Sequence, residues 1–118
     1  NTPDTDHFAG TQVPGAVLLD APMTKQGQPT WLLRELGPEF TLLVFGPAPA
    51  WAHGLPGVKV LQIGIDVIDH QALAAQRLDA LPRTVYLVRP DQHVCAHWRT
   101  PTEAAVRDAL ARATAAAV

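Results

Sequence analysis

The chain holds one cysteine, Cys95, and no serine at all. A single thiol excludes an internal disulfide framework, and without a second, resolving thiol the chain cannot run disulfide exchange by itself. The lack of serine removes that nucleophile. No Gly-x-Gly-x-x-Gly or phosphate loop is present, so no nucleotide-binding signature is written here. Charge is scarce: 17% of residues are Asp, Glu, Lys or Arg, with a net charge of −2, which gives no electrostatic case for nucleic acid or an anionic membrane. No apolar run approaches the roughly 20 residues of a spanning helix. Asn1 to His7 carries two Asp and no basic cluster, unlike a signal peptide. A lone thiol without an export signal points to the reducing cytoplasm.

What is present is an ordinary globular composition, 47% hydrophobic, in 118 residues. That length gives one domain, folding with roughly two-thirds of its unfolded surface hidden. Eleven prolines and eight glycines fall between the expected elements and punctuate the loops. Residues 1–12 read as a flexible leader and 13–118 as the domain. Ala16–Leu19 suits a short strand and Asp20–Gln28 a loop. Thr30–Leu36 suits a helix capped by Thr30 and stopped at Gly37-Pro38. Phe40–Phe45 is continuously apolar, as expected of a central strand covered on both faces. The proline-rich stretch Gly46–Gly57 leaves room for at most one helical turn.

Val58–Ile65 reads as the next strand. Ile68–Leu81 has helical spacing, with Ala74, Leu78 and Leu81 on one face and Pro82 as its stop. Thr84–Val88 and Val94–Trp98 form strands around the turn Arg89-Pro90-Asp91-Gln92. Thr100-Pro101-Thr102-Glu103 reads as a capping box with Pro101 in the first helical position. Val106, Leu110, Ala113 and Ala117 then line one face of a terminal helix. A βαβ crossover followed by a hairpin and a helix is the thioredoxin-like α/β arrangement, a mixed sheet flanked by helices.

A thioredoxin-type redox centre needs two cysteines at the start of the helix after the first central strand, where the helix dipole lowers a thiol pKa. Gly46-Pro47-Ala48-Pro49-Ala50-Trp51-Ala52-His53 fills that place, without sulfur. Pro82 lies where thioredoxins carry a cis proline, although a plain helix stop explains it. His93, Cys95 and His97 alternate along one strand and would share a face, as zinc or copper ligands or simply as the non-core side of that strand. His7 and His53 are isolated loop residues. Asp66, Asp69 and His70 lie near a strand end, where ligands bind in α/β folds, and Asp69 also suits a helix N-cap. Trp51, in its rigid loop, and Arg89 with Asp91, in the turn, are the interface candidates.

Three stretches carry a resemblance. Val13–Met23 (VPGAVLLDAPM), Trp31–Gly46 (WLLRELGPEFTLLVFG) and above all Leu87–Arg99 (LVRPDQHVCAHWR) resemble consecutive landmarks of the C-terminal segment of flavin-dependent aromatic-ring hydroxylases. The similarity is to those like 3-(3-hydroxyphenyl)propionate hydroxylase. It implies a thioredoxin-like tail domain without CxxC, serving docking or oligomerisation in an enzyme that uses FAD, NAD(P)H and O₂ to hydroxylate phenols. Its partners would be the FAD and substrate domains of the parent chain, and a second copy in a homo-oligomer. No catalytic or cofactor-binding residue is transferred, because the family's own lie outside the matching stretches. Two rivals remain: a free-standing protein using the Cys95 thiol, and a small metal-binding module built on His93, Cys95 and His97.

Overall fold

A computed structural model describes residues 14–116; the expected leader, His7 and Ala117 lie outside them. The elements run β1 (Pro22–Lys25), β2 (Gln28–Trp31), a 3-10 turn (Leu32–Glu35), β3 (Phe40–Phe45), a second 3-10 turn (Ala50–Gly54), β4 (Val58–Ile63), α1 (Leu73–Arg77), β5 (Val85–Val88), β6 (Val94–Trp98) and α2 (Glu103–Ala116). Four strands form the main sheet in the order β4-β3-β5-β6. β4 lies parallel to β3, whereas β5 is antiparallel to both β3 and β6. This is the thioredoxin-like α/β fold expected from the order of elements.

Continuous apolar sequence explains the central strands. Thr41 to Val44 and all of β5 are buried, because layers cover both faces of the sheet. On one face Leu43, Leu61, Tyr86 and Val88 pack with Leu18, Met23, Leu32, Val67 and Leu78. On the other, Leu42, Val44, Leu87 and Trp98 pack with Ala52, Leu55, Val106 and Ala109, under the second 3-10 turn and α2.

The periphery departs from expectation in ways with clear causes. Ala16–Leu19 is not a strand of the sheet. It makes one bridge, Val17 to His93, while Gly15 N–H donates to Val94 C=O and Leu18 N–H to Gln92 C=O. The stretch expected as the loop Asp20–Gln28 contains β1, and a two-residue turn joins it to β2. Gln26 and Gly27 both have positive φ, 52° and 78°, the geometry that matches hairpin twist. Thr30 is therefore a strand residue rather than an N-cap, and its hydroxyl donates to Glu35 Oε2 at 2.9 Å.

β4 stops at Ile63, two residues early, because Gly64 (φ 98°) opens a tight turn in which its N–H reaches Val67 C=O. The helix expected over Ile68–Leu81 shrinks to Leu73–Arg77. Ile68 is held beside Thr24 by two backbone hydrogen bonds, and Ala72 and Asp79 take positive φ on either side of α1. Ala74 and Leu78 are buried as expected, but Leu81, beyond the helix, is 59% exposed. At α2 the cap is Thr102, whose Oγ1 accepts the Ala105 N–H. Pro101 precedes the cap, and Glu103 pairs with Arg107 one turn on. No peptide bond among the described residues is cis; Pro82 sits in the turn Leu81–Thr84 with a trans bond.

Candidate docking surface

β3 and β4 end together, at Phe45 and Ile63, where a thioredoxin-like protein presents its reactive thiol. Here Gly46 leads instead into Pro47, Ala48 and Pro49 and then the 3-10 turn Ala50–Gly54. A five-residue 3-10 turn offers no long α-helix dipole, and the segment offers no sulfur. Gln62 Oε1 accepts the Ala48 N–H at 3.0 Å and ties the loop to β4. Trp51 is half-buried against the α2-side core, and His53 is exposed. Across the same end, Arg83 N–H donates to Phe45 C=O, while Arg99 binds both the backbone oxygen and the carboxylate of Asp79 and the Thr84 hydroxyl. The place of a redox loop has become a cross-braced cap.

The His93, Cys95 and His97 alternation does not survive folding. Leu87 pairs with Ala96 but Val88 with Val94, so Cys95 is the extra residue of a β-bulge. Val94 then faces one core and Ala96 the other. Cys95 packs toward the α2 side, whereas His97 lies across from Tyr86, edge-on, with ring centroids 5.2 Å apart. Strand period alone could not reveal the bulge. Among the described residues, no three His, Cys, Asp or Glu side chains are grouped to hold a metal. Burial pushes the Cys95 thiol above its ordinary pKa, only partly offset by positive charges such as Arg89.

Arg89 and Asp91 pair with each other at 2.6 Å, each side chain about half exposed. Slight burial works against ionisation of Asp91. Hydrogen bonds from His93 and the Arg89 charge outweigh it and hold the carboxyl below its usual range. Asp66 accepts the Gln62 N–H and closes the turn after β4. The N-cap position of α1 is Ala72, not Asp69; Asp69, three residues earlier, nevertheless accepts the first-turn N–H groups of Ala74 and Ala75, while His70 is exposed.

Sequence reasoning passed over Glu35 and Trp31. Glu35 is buried and joins the hairpin to β4: Lys25 Nζ lies 3.0 Å from its carboxylate and Lys59 Nζ donates to its C=O. Burial opposes its ionisation, but the bonds from Lys25 and Thr30 dominate and lower its pKa. Trp31 is 47% exposed. Beside the hairpin a concavity of about 520 Å³ runs along β4, lined by Thr24, Lys25, Glu35, Lys59, Ile65 and Ile68 among others.

Two flavoenzymes share this fold in their solved structures. Aklavinone-11 hydroxylase, in complex with FAD and aklavinone, aligns with a TM-score of 0.67 at 18% identity over 80% of this chain. The flavin-dependent monooxygenase PieE, in complex with FAD and substrate, aligns with a TM-score of 0.64 at 28% identity over 85%. In both, the chain spans 20% of the other protein's length. Peroxidoxin BcpB from Mycobacterium tuberculosis aligns along 96% of its own length, with a TM-score of 0.60 at 17% identity, a likeness of fold. No curated protein sequence matches.

The described residues do not fit a flavin of their own. The N-terminal amides of α1 are taken by the Asp69 carboxylate, and one of those of α2 by Thr102. The concavity along β4 mixes both signs of charge, with Lys25 already bound to Glu35. The family match covers residues 11–117, and the chain belongs to the C-terminal domain family of the aromatic-ring hydroxylases.

Proposed function

We propose that this chain is the non-catalytic C-terminal domain of an FAD- and NAD(P)H-dependent aromatic hydroxylase of the cytoplasm. Its work is docking on the FAD and substrate domains of the parent polypeptide, and support of a homo-oligomer. The observation that carries the reading is the sulfur-free, cross-braced loop Gly46–Gly54 at the place of the reactive thiol, inside a fold otherwise kept. The aromatic hydroxylase family and the two FAD-bound relatives support the identity of the parent. Trp51, Arg89 and Asp91 are the contacts the sequence offers for docking; His93, Cys95 and His97 are not proposed as a metal site. Titrating the isolated chain with FAD tests the reading: no stoichiometric binding is expected, and tight binding contradicts it. Removing the domain from the parent is expected to weaken assembly or thermal stability while bound flavin is still reduced. A parent that loses nothing but chemistry would overturn the docking role.

A further inference from the structure

Six large apolar residues are exposed among the described residues, and their placement is uneven. Leu81 stands at the far turn. The other five, Val17, Leu19, Trp31, Ile65 and Ile68, belong to the leading segment, the β1–β2 hairpin and the turn beside it. Strand register aligns part of this set. Pro22 faces Trp31 across the hairpin, and Thr24 faces Pro29 on one side and Ile68 on the other. Cross-strand partners and alternate residues share a face. Trp31, Pro22, Thr24 and Ile68 therefore stand on the outer face of this small sheet, opposite Met23 and Thr30, which are buried. Ile65 and Ile68 also line the concavity of about 520 Å³ at the foot of that face, and Leu19 lies three residues before Pro22.

We infer that this outer hairpin face, centred on Trp31 and Ile68, is the surface on which the catalytic body of the parent hydroxylase sits. The inference rests on the reading above. On that reading the body precedes this domain and occupies the other four-fifths of the polypeptide, as the coverage of the two relatives indicates. The chain arrives along Gly15–Leu18, tied to the edge of β6, and runs directly into β1. A tethered partner meets the surface beside its tether at high effective concentration. Exposed apolar residues around a tryptophan, beside a concavity that Lys25, Glu35 and Lys59 help to line, match the apolar centre and polar rim of a protein interface.

Hydroxyl-radical footprinting of the full-length flavoprotein against this 118-residue chain tests the assignment. Oxidation of Trp31 and Ile68 is expected to fall several-fold in the full-length protein, with Leu81 labelled equally in both. Protection of Trp51 or Leu81 instead would overturn this face and leave the docking reading standing. Equal labelling everywhere would remove the docking reading itself. Protection that disappears on dilution would assign the face to a second copy and overturn the assignment to the catalytic body. Trp31→Glu provides a second readout: it is expected to lower the melting temperature of the full-length protein and leave that of the isolated chain unchanged. An equal loss in both would contradict the inference.

Discussion

β3 and the segment Ile68–Leu81 are both rich in apolar residues, yet only β3 takes the form its sequence announces. Phe40–Phe45 is apolar except for the buried Thr41, layers cover both its faces, and hydrophobic burial favours the strand. Ile68–Leu81 has acceptable helical spacing, but competing bonds divide it. Ile68 is drawn into a bridge with Thr24, Asp69 accepts the N–H groups of Ala74 and Ala75, and Arg99 clamps Asp79. A core strand is decided by local sequence, whereas a peripheral helix is decided by what its neighbours offer. Each perturbation below probes one side of that contrast.

The largest effect belongs to the strand. Leu43 is fully buried in β3, so Leu43→Ala is expected to destabilise the domain by about 2–5 kcal/mol. Urea denaturation measures this, and a loss no larger than at an exposed site would mean that the core is not where the packing places it. Next comes the peripheral brace. Glu35→Ala removes the acceptor shared by Lys25 and Thr30 and is expected to cost about 1–3 kcal/mol. The same brace sets a pH dependence. Because the Glu35 pKa is lowered on folding, its contribution is complete above its ordinary value of 4.5 and is lost as pH falls through the lower folded value. Melting temperatures of the unsubstituted chain should fall on acidification below that value, with a shallower fall in Glu35→Gln. Identical acid profiles would assign the brace no electrostatic role.

The legibility of the fold follows the same division. β3, β5, β6 and the parallel β3–β4 pair were readable from apolar runs, and the lack of a CxxC pair from the residues themselves. The hairpin was hidden because Pro22 and Pro29 read as breakers, although Gln26-Gly27 is a two-residue turn with glycine in its second place. The Cys95 bulge was hidden because it adds one residue without any change of composition. Trp31 reads as part of the helix expected over Thr30–Leu36, whereas the hairpin pairs it with Pro22 and leaves it 47% exposed.

The smallest effect concerns a turn. Arg83 occupies the third position of Leu81–Thr84 with φ 75°, a conformation that glycine adopts without a Cβ penalty. Arg83→Gly is expected to be neutral or to stabilise by about 0.5–1 kcal/mol, the gain being limited by the entropy glycine adds to the unfolded chain. A clear loss in thermal denaturation would show that the Arg83 side chain braces the end of the sheet.

The central claim is that the reactive centre of this fold has been lost and that its remaining thiol does not replace it. The pH profile of Cys95 alkylation, recorded with peroxide turnover on the same sample, measures this most directly. The account expects a titration above the ordinary cysteine range and no turnover. A thiolate formed below neutrality, with peroxide consumed, would contradict it.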